Sequence, residues 1–191
     1  MNTIVHNYEH MFKNMNISRT QLEILTFLSE QPRRTWHVRE LARDMDISTG
    51  AASLGLRNLR SLGLAHSEKR GNMVLYKLED EKQLVRSFRL FLTLLELDPL
   101  VEDLKDACER IILFGSAADG TEREGSDVDL LVVTIDKGGV DGRLRKHRTI
   151  KGLPLNAVVL TPGELLDLSR TNKTFHDRAT GGMVLWRRGL G

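Results

Sequence analysis

The sequence predicts an α+β protein in which a helical unit that ends in a β-hairpin is joined by a long helix to a small mixed sheet. Two observations carry this prediction: helix-like patterns followed by a hairpin in the first half, and apolar strand-like runs separated by helices in the second. The 191 residues suit one large domain or two small ones. We divide the chain into an N-terminal arm or helix, the helical unit with its hairpin, a connecting helix and the sheet unit, at residues 1–17, 18–80, 81–98 and 99–191.

Three short helix patterns follow one another in the first half. Ser18 is an N-cap for the first, which Pro32 ends. The second spans residues 38–45, and the third covers 48–62. Three short helices in this order are typical of a helix-turn-helix.

A β-hairpin is predicted directly after the third helix. Segments 64–68 and 73–78 have strand composition, and the Gly71-Asn72 pair between them suits a tight turn. A hairpin in this place is the wing of a winged helix-turn-helix. The pattern resembles the winged-helix domains of the MarR and ArsR regulator families.

The charge of this half favours a nucleic-acid partner, although the whole chain is nearly balanced with 28 Lys and Arg against 26 Asp and Glu. Between residues 31 and 90, twelve Lys and Arg face seven Asp and Glu. We expect double-stranded DNA to contact the third helix and the wing tip through Ser48, Thr49, Arg57, Arg60, Lys69 and Arg70. The alternative is a module for dimerisation or protein docking.

The run from residue 81 to about 97 is too rich in apolar side chains for an isolated surface helix. It must pack on the second unit or on the same helix of another subunit, so a homodimer is one expectation. Pro99 is predicted to end this helix, and a separate helix is predicted over 100–110.

The second half contains a Gly-Ser pair after one strand and an Asp-x-Asp motif before the next. Gly115 ends the strand predicted over 111–114, and Ser116 is predicted to open a short helix whose free N–H groups attract an anion. Asp127 and Asp129 stand at i and i+2, so a strand would project both carboxylates from one face. Two carboxylates beside a phosphate cradle suit Mg²⁺ and nucleotidyl transfer. Each motif alone could equally be a turn or a solvated edge.

Gly-Ser, ten residues and then Asp-x-Asp resembles the signature of the minimal nucleotidyltransferases of the polymerase beta superfamily. These include kanamycin nucleotidyltransferase and the antitoxin-type enzymes paired with small toxins. The resemblance covers roughly residues 99–191, and its last part, TFHDRATGGMVLW, is similar to their closing helix and strand. It implies Mg²⁺-dependent transfer of a nucleoside monophosphate from a nucleoside triphosphate, with ATP the expected substrate, to a hydroxyl. Gly115 and Ser116 would contact the triphosphate, and Asp127 and Asp129 would be the catalytic metal ligands.

Two positions depart from that family. Many members carry a basic residue after Gly-Ser, where this chain has Asp119, and active members usually place a third carboxylate on a later strand, where this chain has Asn156. A neutral amide can contact a metal or a ribose hydroxyl, but it cannot act as a general base. Asn156 is therefore a predicted nucleotide-binding residue, and turnover is left open.

Three functions remain open from the sequence. The chain is a nucleotidyltransferase with a DNA-binding winged helix, a transcriptional regulator whose degenerate transferase domain only binds nucleotide, or an antitoxin that modifies a partner toxin. The basic segment 143–151 is either a solvated helix face or a contact for the triphosphate or for an acidic acceptor. No signal peptide or membrane span is evident, and the single cysteine, Cys108, fits a reducing cytoplasm.

Overall fold

The computed structural model describes residues 17–189, so the arm or helix expected at 1–17 lies almost wholly outside the described residues. The chain forms two compact units, one up to Arg86 and one from Ser87 onward. Within residues 17–189, no helix is long and apolar enough to cross a membrane.

Three helices build the first unit in the predicted order: α1 (Arg19–Glu30), α2 (Val38–Asp44) and α3 (Thr49–Ser61). A capping box starts α1, because Ser18 Oγ accepts a hydrogen bond from the Gln21 N–H at 3.3 Å and the Gln21 side chain accepts one from the Ser18 N–H at 2.9 Å. The helices enclose a fully buried apolar core that includes Ile24, Leu28, Leu41, Leu56 and Leu59.

The predicted wing is confirmed. Strands β2 (Ala65–Arg70) and β3 (Met73–Leu78) pair antiparallel across the two-residue turn Gly71-Asn72, and Gly71 has φ +60°. A further strand, β1 (Trp36–His37), pairs with the other edge of β3. Two residues are too few to show an alternating pattern, which is why the sequence does not indicate β1.

Helix α4 (Gln83–Leu104) corrects the prediction that Pro99 ends the connecting helix, because Pro99 lies inside it. A proline in a helix interior costs about 3 kcal/mol. Leu97, Leu100 and Leu104 lie on both sides of Pro99 and are fully buried, and burying one leucine contributes roughly 1.5–3 kcal/mol. Burial therefore outweighs the cost of the proline. The predicted helix over 100–110 is the last part of α4, followed by a 3₁₀ turn at Lys105–Ala107.

The second unit is built around a mixed sheet. Its elements in chain order are β4 (Arg110–Phe114), β5 (Val128–Val133), α5 (Lys137–Leu144), β6 (Thr149–Ile150), β7 (Leu153–Leu160), α6 (Pro162–Thr171), α7 (Lys173–Thr180) and β8 (Met183–Arg187). The five strands have the order β6-β7-β5-β4-β8 in the sheet. Strand β5 pairs parallel with β7, and the other neighbours pair antiparallel.

The two faces of this sheet carry different cores. One face packs with Leu97, Leu100 and Leu104 of α4. The other face, which we call the α6/α7 face, contributes Ile112, Phe114, Leu131 and Val133 to a core shared with Leu165 of α6 and Ala179 of α7. Because side chains alternate along a strand, odd-numbered positions of β5 belong to the α6/α7 face.

Candidate nucleotide site and nucleic-acid interface

Both predicted metal ligands lie at the start of β5. Asp127 is exposed and immediately precedes the strand, while Asp129 is the second strand residue and is half-buried. The alternation along β5 assigns Asp129 to the α6/α7 face, and Asp127 lies two positions earlier, just outside the strand. In the sheet, Asp129 lies opposite Phe114 of β4 on one side and opposite Asn156 of β7 on the other.

Gly115 makes room for the Asp129 carboxylate. Its φ is +73°, a left-handed conformation that favours glycine, and a Cβ atom built on it would lie 2.6 Å from Asp129 Oδ2. No side chain fits at that distance without displacing the carboxylate. Glycine is therefore required at position 115 for two reasons, the left-handed backbone conformation and the close approach of the Asp129 carboxylate.

Asn156 holds the other oxygen of the same carboxylate. Its Nδ2 donates a hydrogen bond to Asp129 Oδ1 at 2.7 Å. The amide therefore orients a metal-ligand candidate, at the strand position where the resemblance leads one to expect a third carboxylate. The Asn156 side chain is otherwise exposed, and its own oxygen is available to a ligand.

The short helix predicted after Ser116 is wrong. Residues 116–120 form successive turns, in which the Asp119 N–H donates to the Ser116 carbonyl at 3.2 Å and the Thr121 N–H donates to the same carbonyl at 2.9 Å. Gly120, with φ +64°, prevents helical continuation. Ser116 therefore does not lie at the N-terminus of a helix that could attract an anion, and residue 116 begins a series of turns instead.

Asp127 and Asp129 are the residues that could hold one Mg²⁺ ion shared with a ligand. Within residues 17–189, no group of three or more His, Cys, Asp and Glu side chains is placed to hold a metal. Magnesium commonly uses one or two carboxylates and completes its shell with phosphate oxygens and water. Asp127 and Asp129 match that requirement and do not match an all-protein cage.

A buried ion cluster braces the loop between Ser116 and Asp127, and sequence reasoning missed it. The Glu122 side chain is only 4% exposed and lies 3.4 Å from Arg89 of α4 and 2.8 Å from Lys151, measured between charged atoms. Lys151 also donates to Thr93 Oγ1 at 3.3 Å. Arg89, Glu122 and Lys151 are far apart in sequence, so no local sequence pattern indicates the cluster.

The basic segment 143–151 mainly contacts the protein itself. Lys151 belongs to the Glu122 cluster, Arg143 donates to the backbone carbonyl of Asp103, and Lys146 lies 3.5 Å from the Asp103 carboxylate. These contacts favour the structural interpretation of the segment over a triphosphate contact for the residues involved.

On the first unit, the predicted DNA-contacting residues of α3 fall into two groups. The Ser48 hydroxyl is the N-cap of α3 and accepts from the Ala51 N–H at 3.1 Å, next to the exposed Thr49. Arg57 and Arg60 are exposed, and neither takes part in an ion pair within the described part of the chain. These two arginines present full positive charge on the third helix.

The wing tip carries one paired and one unpaired cation. Arg70 lies against Glu68, with Nε–Oε1 at 3.2 Å and Nη2–Oε2 at 3.3 Å. This hydrogen-bonded pair raises the pKa of Arg70 and lowers the pKa of Glu68. Lys69 is exposed and enters none of the ion pairs found among residues 17–189. Lys69 is therefore the less neutralised cation of the wing.

Comparison with known families agrees with both halves of this description. Residues 100–189 match the family described as polymerase beta, nucleotidyltransferase, which identifies the second unit as a nucleotidyltransferase-like domain. Residues 18–67 match the family described as bacterial regulatory protein, arsR family, which identifies the first unit as a helix-turn-helix regulator domain. The chain is thus a helix-turn-helix regulator domain followed by a nucleotidyltransferase-like domain.

Several solved regulator structures are similar to part of the chain. A mutant of Lactococcus lactis ZitR is 27% identical, covering 36% of this chain and 47% of its own, with a TM-score of 0.30. NadR in complex with 4-hydroxyphenylacetate is 23% identical, covering 44% and 61%, with a TM-score of 0.37. Another ZitR mutant, in complex with DNA, is 24% identical, covering 49% and 66%, with a TM-score of 0.34. The chain spans about half and about three-fifths of the length of the first two. None of the curated proteins compared with the chain matches it.

Proposed function

We propose that this protein is a DNA-binding regulator whose nucleotidyltransferase-like domain binds a nucleoside triphosphate, ATP in the first instance, together with Mg²⁺. One observation carries the nucleotide half of the proposal. The Asp129 carboxylate is held by Asn156 at one oxygen and borders the open backbone of Gly115 at the other. A carboxylate oriented in this way beside a glycine is suited to a metal–phosphate ligand.

In this proposal, each residue of the site has a distinct task. Asp127 and Asp129 ligate the ion, Asn156 keeps Asp129 in one orientation, and the Gly115-Ser116 turn approaches the phosphates through its backbone. Bound Mg²⁺ supplies charge neutralisation for the triphosphate. The β7 neighbour of Asp129 is Asn156, and a neutral amide cannot act as a general base.

Calorimetry with ATP, GTP, CTP and UTP, with and without Mg²⁺, tests this half. We expect Mg²⁺-dependent binding that the double variant Asp127→Asn/Asp129→Asn loses. Asp141→Asn on α5 is the matched control, since Asp141 is exposed and lies on another element. Binding that is independent of Mg²⁺, or equal in the double variant and the control, would contradict the proposal.

Nucleotidyl transfer is the second candidate function, favoured by the family match of residues 100–189. It is tested with α-labelled triphosphate offered to protein, RNA and small hydroxyl acceptors. The variant Asn156→Asp supplies the carboxylate that active members usually carry. Label transfer by the natural sequence would establish an enzyme. Transfer only by Asn156→Asp would show a site that binds nucleotide and lacks one group for turnover.

The DNA half of the proposal is supported by the regulator match at residues 18–67 and by the exposed cations Arg57, Arg60 and Lys69. We propose that α3 enters the major groove and that the wing contacts the neighbouring backbone, with the protein binding as a homodimer. Fluorescence anisotropy with duplexes from its own upstream region should show salt-sensitive binding that Arg57→Ala weakens. A DNA affinity that Arg57→Ala leaves unchanged would contradict the assignment of α3 as the recognition helix. Light scattering would measure whether the protein is a dimer.

A further inference from the structure

An arginine contacts aromatic rings on the sheet face to which Asp129 belongs. Arg178 is exposed on α7, and its guanidinium carbon lies 5.6 Å from the centroid of the Phe114 ring and 5.7 Å from that of Phe175. The two rings meet edge to face, with centroids 5.9 Å apart and planes at 88°. Both distances are within the range of a cation–π contact.

Phe114 places this cation next to the nucleotide site. It is the last residue of β4, it directly precedes Gly115, and its backbone partner is Asp129. Neighbouring strands are about 4.8 Å apart, so the backbone of Phe114 lies directly beside that of Asp129. Arg178 therefore contacts the residue that precedes Gly115, on the sheet face to which Asp129 belongs.

The charge of Arg178 is not offset by an acidic side chain of its own helix. The neighbouring Asp177 contacts Lys173 and lies 3.0 Å from His176, and Arg178 is in none of the ion pairs found in the described part of the chain. Aromatic rings fix a guanidinium without using its N–H donors, which stay available for phosphate oxygens. Many members of the family carry a basic residue after Gly-Ser, and this chain has Asp119 in that place.

We infer that Arg178 binds the polyphosphate of the nucleotide, supplying from α7 the positive charge that the segment after Ser116 does not. The inference rests on the proposed nucleotide function. It assigns Arg178 to phosphate recognition and makes discrimination among ATP, ADP and AMP its consequence.

The test is calorimetry of the full chain with Mg²⁺ and ATP, ADP or AMP. We expect Arg178→Gln to weaken ATP binding about tenfold or more, the scale of a lost charge-assisted hydrogen bond, with a smaller effect on ADP and none on AMP. Arg178→Lys should retain part of the ATP affinity. Arg187→Gln is the matched control, because Arg187 is exposed on β8 and pairs with Arg110, at the opposite end of β4 from Phe114.

These measurements distinguish a failure of the Arg178 assignment from a failure of the proposed nucleotide binding. If Arg178→Gln and Arg187→Gln bind ATP equally while the Asp127→Asn/Asp129→Asn variant does not bind, the role of Arg178 is wrong and the nucleotide site stands. An equal loss for ATP and AMP would show that Arg178 supports the fold or the base rather than the phosphates. If the natural sequence binds none of the nucleotides, both proposals fail. Melting curves of the ligand-free variants identify a loss caused by unfolding.

Discussion

Gly115→Ala is the perturbation that most directly tests how the site is built. The new methyl group would lie 2.6 Å from Asp129 Oδ2, and the residue would keep a φ of +73°. The left-handed conformation costs a non-glycine residue about 1–2 kcal/mol. Turning the carboxylate away would also break the 2.7 Å hydrogen bond from Asn156, worth about 0.5–1.5 kcal/mol. We expect the free energy of unfolding to fall by roughly 1.5–3.5 kcal/mol and Mg·ATP binding to be lost.

Gly125→Ala is the matched control within the same loop. Gly125 has φ +80°, and a Cβ built on it meets nothing within 4 Å. This variant therefore carries only the conformational cost of about 1–2 kcal/mol. Since 1 kcal/mol shifts the melting temperature of a domain this size by about 4–8 °C, scanning calorimetry resolves the two variants.

Isothermal titration with Mg·ATP completes the comparison. Gly125→Ala should bind as the natural sequence does, and Gly115→Ala should not. Equal nucleotide affinity and equal melting temperatures in the two alanine variants would refute the claim that the turn and the Asp129 carboxylate form one unit.

Three other predictions concern the wing, the single cysteine and the buried ion cluster. Glu68→Gln should tighten DNA binding because it releases Arg70 from its ion pair. Arg70→Ala should reduce the slope of log affinity against log salt concentration by about 0.9. Anisotropy titrations at several salt concentrations measure both effects, and curves equal to those of the natural sequence would exclude the wing as a DNA contact. Burial raises the pKa of Cys108 from 9.0 to about 11, so Ellman's reagent at pH 8 should label the unfolded chain and spare the folded protein. The folded protein retains that thiol proton more tightly, so its free energy of unfolding should fall as pH rises from about 9 to 11, which urea titrations at alkaline pH would show. Glu122→Gln removes the carboxylate that Arg89 and Lys151 both contact, and it should lower the free energy of unfolding by about 3 kcal/mol. A urea midpoint equal to that of the natural sequence would contradict this prediction.

The elements that the sequence predicts well are those fixed by neighbouring residues. The capping box at Ser18 and Gln21, and the Gly71-Asn72 turn of the wing, need only a few adjacent positions. The alternation that assigns Asp129 to the α6/α7 face is equally local. Such signals survive folding because tertiary contacts reinforce rather than oppose them.

The parts that could not be predicted depend on distant contacts. Pro99 is tolerated because leucines on both sides of it are buried. The rule that proline ends a helix takes no account of such burial. Glu122 and Arg89 are 33 positions apart, and Arg178 reaches Phe114 only after α7 has packed on the sheet. The predicted helix at Ser116 fails for a local reason, since Gly120 takes a left-handed conformation that ends the turns.

The continuity of α4 determines where the protein can be divided for separate study. A fragment starting at Pro99 would lose Leu97 from the apolar layer beneath the sheet, and one starting at residue 94 would lose Arg89 and Thr93 from the Glu122 cluster. A fragment of the nucleotidyltransferase-like domain should therefore begin near Gln83 and carry the whole of α4.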